Sequence, residues 1–167
     1  MKTPINLLAI TLLAVASCTD FGPAPSVQQS LDDIREAVFS YQISHNASGQ
    51  QHSAQVYFLA LYVPGDSLRQ GHYVDPSDNL MARFRGNAPP VKKYSDCVES
   101  INGVFDVFTG AAGLLFRIES IREINTNEAE VTGGYFEAGL SASGNIYTVK
   151  RIADRWTVVR DVMLWIS

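Results

Sequence analysis

Four side chains in the C-terminal third of this chain could handle protons: Tyr135, Glu137, Tyr147 and Asp161. Tyr135 and Glu137 are two apart, so in a strand they share a face. Tyr147 and Asp161 fall on later segments that a meander makes neighbours. A carboxylate and a tyrosine facing one cavity can transfer a proton, with the environment deciding which group is the acid. Glu137 can equally be structural, paired across strands with Arg160 or Lys150 on a solvated face. From the N-terminal half, Tyr41 and His45 complete the candidate pocket. His45 follows Tyr41 by four residues near a helix end. There a half-buried imidazole satisfies the last-turn carbonyls, or serves as a ligand or an acid–base group.

Other chemistries find no foothold. The three histidines, His45, His52 and His72, form no HxH, HxxxH or HxxE pattern, so no metal or other cofactor is expected. There is no G-x-S-x-G, and Cys97 has no adjacent histidine. Cys97 reads as a buried hydrophobe or, alternatively, as a reactive or pairing thiol. Gly133-Gly134 sits inside a strand pattern and opens no helix, so it is no phosphate cradle. It reads as a bulge that bends the sheet, or as a place where a backbone or ligand approaches closely. Asn46-Ala47-Ser48 matches a glycosylation sequon, yet Asn46 is better placed to cap the end of the helix. Acidic residues outnumber basic ones, 17 to 13, which argues against nucleic acid as a partner.

The elements that must position these groups follow from periodicity. The chain has 167 residues, 46% hydrophobic and 18% charged, which suits one globular domain. Ser26 and Gln29 make a capping box. Val27, Leu31, Ile34, Val38 and Tyr41 then recur at helical spacing, with Asp32, Asp33, Arg35 and Glu36 off that stripe. The helix should end near His45. The run Val56–Val63 reads as a buried strand, and Asp75-Pro76-Ser77-Asp78 as a helix start with Asp75 at the N-cap and Gly86 as the stop. From Val91 onward strands are expected at 91–99, 103–108, 114–124, 128–138, 145–153 and 156–166. Turns are expected at 125–127, 143–145 and 153–155, which makes an antiparallel meander. Apolar residues of both parities at the end of the last strand predict cover on both faces, so that losing Leu164–Ser167 would prevent folding.

The N-terminus is a separate unit. Lys2 precedes a ten-residue apolar run, Leu7–Ala16, too short to span a bilayer and fit for a signal peptide. The run ends in Val15-Ala16-Ser17-Cys18, which resembles the lipobox of bacterial lipoproteins. The resemblance implies cleavage before Cys18 and a diacylglycerol on its thiol. Thr19, rather than Asp, at the next position implies the outer membrane where one exists. Ala14-Val15-Ala16 also fits ordinary secretory cleavage, which would leave Ser17 first. The expected organisation is therefore signal peptide 1–17, lipidated tether 18–25 and a single α+β domain 26–167.

That domain resembles the NTF2-like/cystatin-like cone: an N-terminal amphipathic helix packed on a curved antiparallel sheet. The tail Gly144–Arg151 followed by Arg155–Asp161 is similar to the last hairpin of many such domains. Asp75-Pro76-Ser77, Pro89-Pro90-Val91, Gly133–Glu137, Leu140–Asn145 and Trp165-Ile166-Ser167 look like a family of small, uncharacterised bacterial secreted proteins. Isomerases and dehydratases of NTF2-like type work by proton transfer in the cone, but their catalytic motifs have no residue-by-residue match here. The leading expectation is a lipid-anchored envelope protein, a non-catalytic binding or interaction module. Its partners would be the membrane, through the lipid, and an envelope protein or small molecule. The alternative is a small enzyme using the cone pocket.

Overall fold

A computed structural model describes residues 27–49 and 53–167. The leader, Cys18, the tether, the Ser26–Gln29 capping box and His52 lie outside what it describes of side chains. The elements in chain order are α1 (Val27–His45), β1 (Val56–Val63), β2 (His72–Val74), α2 (Asp78–Ala82), β3 (Val91–Lys93), β4 (Cys97–Ser100), β5 (Gly103–Asp106), β6 (Ala112–Asn125), β7 (Glu128–Ala138), β8 (Ser141–Ile152) and β9 (Arg155–Ile166). All nine strands join one curved, unclosed sheet in the order β2-β1-β6-β7-β8-β9, and α1 packs on one face of it. This is an α+β fold. β3 pairs with β1, and the β4–β5 hairpin joins the start of β6.

The run from β6 to β9 is the expected antiparallel meander. The first half departs from it. β1 runs parallel to β6, from Val56 opposite Gly113 to Leu61 opposite Ile118, and parallel to β3. A parallel pair needs a long crossover and leaves no turn signature in the sequence. The strand expected over 91–99 is broken by a 3-10 turn, Tyr94–Asp96. Asp75 causes the break: its carboxylate accepts from the Ser95 backbone N–H and hydroxyl, both at 2.8 Å. Asp75 is therefore not the cap of α2. Ser77 is, accepting from Leu80 N at 3.1 Å. The turn expected at 143–145 is interior to β8, and the chain reverses instead at Gly139-Leu140. Ala153 and Asp154 do make the last turn, both at positive φ, as a tight two-residue hairpin demands.

The core lies between α1 and the sheet. Ile34, Val38 and Phe39 are fully buried against Leu59, Leu114, Phe116, Val131 and Val149, and Leu80 of α2 closes one end. A second cluster, Val56, Phe58, Ala60, Val104 and Leu115, covers the opposite face. β1 is thus buried on both sides, which explains its unbroken apolar run. The inward face of α1 is rotated from the expected stripe. Val27 is 78% exposed, while Phe39, Gln42 and Asp32 are buried. Asp32 is kept inside by three donors: Gln28, Arg35 and the Ser77 hydroxyl, which ties α1 to the start of α2.

β9 is an outer strand of the sheet and is not covered on both faces as expected. Leu164, Trp165 and Ile166 are each more than half exposed. The two apolar parities arise from register shifts at Val158–Arg160 and Met163–Trp165, which flip the side-chain alternation. Trp165 lies against Gly144, where a Cβ would stand 2.2 Å from the indole nitrogen.

Candidate functional site

The pairing of β7 with β8 lapses between Gly133–Asn145 and Phe136–Ala142. Gly134 and Tyr135 there lie opposite Ser143 and Gly144 without ladder partners across the gap. Glu119 forms an irregularity on β6 at the same level, opposite Gly133. Close approach is built in: a Cβ on Gly134 would stand 1.8 Å from the Ser143 carbonyl oxygen, and one on Gly133 2.3 Å from that of Arg117. Gly133-Gly134 is therefore a close approach of backbones, while the register irregularities lie beside it, on β6 at Glu119 and on β7 between Phe136 and Ala138.

Gln42 of α1 enters this gap. It is 2% exposed, and its Nε2 donates to the Arg117 carbonyl at 3.1 Å, the Gly134 carbonyl at 3.3 Å and the Tyr147 hydroxyl at 3.4 Å. Two carbonyl acceptors fix which end of the amide faces the sheet. Gln42 Oε1 is left buried with no hydrogen-bond partner among the described residues. An unpaired buried acceptor costs about 1–3 kcal/mol and calls for a donor.

A cavity of about 40 Å³ opens beside that amide. Tyr41, His45, Tyr135, Tyr147 and Asp161, five of the six pocket residues expected from sequence, line it. Glu137 does not. Its carboxylate accepts from Ser48 and Ser141, at 2.5 and 2.7 Å, and so ties the chain after α1 to the β7–β8 turn. It does not pair with Arg160 or Lys150; Lys150 pairs with Glu128. Tyr135 and Glu137 flank Phe136, which packs on the opposite face of the sheet, but the Glu137 carboxylate is taken by the two serines rather than the cavity.

The far wall is a relay of polar groups. Ser143 Oγ donates to Asn145 Oδ1 at 2.9 Å, and Asn145 Nδ2 donates to Asp161 Oδ1 at 2.7 Å. No ion pair within 4 Å engages Asp161 among the described residues. Burial raises the Tyr147 phenol well above its ordinary range; Asp161 and Tyr41 add to this, while the bond from Gln42 opposes it. Burial and then Asp161 raise Tyr41. Both phenols stay neutral near pH 7 and act as hydrogen-bonding groups, not bases. Tyr41 meets Tyr147 edge-on at 5.8 Å and stacks flat on His45 at 4.3 Å. His45 is exposed, not half-buried, and its Nδ1 lies 3.2 Å from the Tyr41 carbonyl.

The Tyr41–His45 stack is a shared wall. Beyond it a groove of about 640 Å³ runs between α1 and the β8–β9 turn, with Asp33, Glu36, Arg155 and Trp156 along it. Gln42, Ser143 and Asn145 escaped the sequence reading. Gln42 stands four residues after Val38, so a polar residue on the buried helix face was the available signal. Ser143 and Asn145 belong to a Ser-Gly-Asn run whose composition suits a turn.

Cys97 is half-buried and unpaired, and burial pushes its thiol up to about 12, so it stays protonated. Among the described residues no cluster of three His, Cys, Asp or Glu side chains could hold a metal ion, and no helix is long and apolar enough to cross a membrane. Fold and site together define an α+β domain with a helix laid on a curved sheet and a polar cavity at the helix's C-terminal end. No family model, no curated protein and no solved structure matches this chain.

Proposed function

We propose that this chain is a lipid-anchored protein of a bacterial cell envelope whose domain binds a small polar molecule without converting it. Its architecture would be of the NTF2-like/cystatin-like kind, a reading supported by one long helix laid on a curved sheet that ends in a long meander. The observation that carries the binding reading is the polar cavity lined by Gln42, Asp161 and three tyrosines, which shares its Tyr41–His45 wall with a ligand-sized groove. Two features favour binding over turnover. The two pocket phenols are held neutral and do not act as bases, and the carboxylate that lines the cavity, Asp161, is engaged by Asn145, while Glu137 is bound to two serines. Anchoring rests on Val15-Ala16-Ser17-Cys18 and its likeness to a lipobox.

Mass spectrometry of the protein recovered from its bacterial host tests both parts. The expected result is a diacylglyceryl mass on an N-terminal Cys18, lost in Cys18→Ser, and a small molecule retained unchanged under native conditions. An unmodified chain starting at Ser17 would remove the anchor. A retained molecule consumed on warming would replace the binding module with an enzyme.

A further inference from the structure

We infer that the inner cavity is a receptor for a primary ammonium group, with the rest of the ligand lying in the adjoining groove. This rests on the cavity being a ligand site, as proposed above, and adds the chemistry it selects. The groups facing the cavity have a consistent sense. Gln42 Oε1 can only accept, and it lacks a donor. Asp161 brings a carboxylate with no cationic partner within 4 Å among the described residues, and its negative field helps raise both Tyr41 and Tyr147. Asn145 turns one of its two N–H donors onto Asp161.

Aromatic rings complete the enclosure. Tyr41, Tyr135 and Tyr147 line the cavity, and ring faces attract cations. A neutral donor such as water would satisfy Gln42, but it would leave the Asp161 charge uncompensated. An anion would meet Asp161 and an acceptor oxygen. An –NH3+ head on one methylene is close to the size of water and fits the cavity. Its donors match Asp161 and the tyrosine hydroxyls of the lining. The ligand body then leaves past the Tyr41–His45 wall toward Trp156, beside Asp33 and Glu36, whose carboxylates share the single Arg83.

Calorimetric and NMR titration of the full chain with n-butylammonium, n-butanol and butyrate tests this. The expected result is saturable binding of butylammonium alone, shifting the side-chain amide signals of Gln42 and Asn145. Asp161→Asn should weaken it at least tenfold with the melting temperature little changed. Equal or tighter binding of butanol or butyrate at the same residues would overturn the amine assignment and leave the cavity a ligand site. Silence from all three probes at Gln42 and Asn145 would overturn both readings. Ethanolamine in solution against phosphatidylcholine vesicles with and without phosphatidylethanolamine then separates a free amine from a lipid headgroup. Binding in either arm supports the shared chemistry, and binding in neither counts against it.

Discussion

Gly134 shows how one missing side chain can hold a site open. Its Cβ position is occupied by the Ser143 carbonyl oxygen, and its own carbonyl receives Gln42. Gly134→Ala forces backbone against backbone, so strands β7 and β8 must separate and Gln42 loses an acceptor. A cost of about 2–4 kcal/mol is expected from overpacking plus an impaired buried hydrogen bond, read from urea unfolding. An alanine variant within about 0.5 kcal/mol of wild type would show that the gap absorbs the methyl. Asp106 illustrates a charge used for structure. The Lys92 ammonium and the Phe108 and Thr109 amides hold its carboxyl at about 2. A folded-state value below the unfolded one near pH 4 means stability that is full above about pH 4 and lost as pH falls toward 2. Asp106→Asn is expected to lower stability at pH 7 and to flatten its fall between pH 4 and pH 2. Parallel pH profiles for wild type and variant would refute that role.

Among the elements, α1 carries most of the inward packing. Val38 has no exposure, so Val38→Asp places an unpartnered charge in the core and is expected to cost more than about 3 kcal/mol. Glu36 shares Arg83 with Asp33 at the surface, and Glu36→Ala is expected to cost less than about 1 kcal/mol. Comparable melting temperatures would mean the helix face is wrongly assigned. β9 obeys a different logic. Its last residues pair Trp165 with Gly144 and Ile166 with Ser143, yet their side chains are more than half exposed. Deleting Leu164–Ser167 is therefore expected to lower the melting temperature while leaving cooperative unfolding and near-native circular dichroism. A chain that no longer folds would show that these few ladder bonds decide the sheet edge.

At the scale of the whole molecule, one core joins α1, β1, α2 and strands β6 to β8, so unfolding should be a single transition. Both tryptophans, Trp156 and Trp165, lie on β9, which pairs with β8 from end to end. Fluorescence and far-ultraviolet circular dichroism are expected to give coincident urea curves. An earlier fluorescence transition would mark β9 as a separately melting edge. The sequence by itself determined the helix ending at His45, the buried strand Val56–Val63, the β-rich C-terminal half and the close approach at Gly133-Gly134. Those are local matters of periodicity and of residues suited to particular backbone angles. It also named five of the residues that meet in the cavity, because strand parity and neighbouring strands in a meander are local rules. Only the tertiary structure decided the rest. The parallel pairing of β1 with β6 joins remote segments without a turn to announce it. The capture of Ser95 by Asp75 moved a helix cap to Ser77 and broke a strand. Hydrogen bonds from Ser48 and Ser141 hold Glu137 away from the pocket, and irregular register in β9 exposes the last residues of the chain. Gln42 became the centre of the site because the β7–β8 ladder lapses opposite it, and whether two strands stay paired depends on everything packed against them.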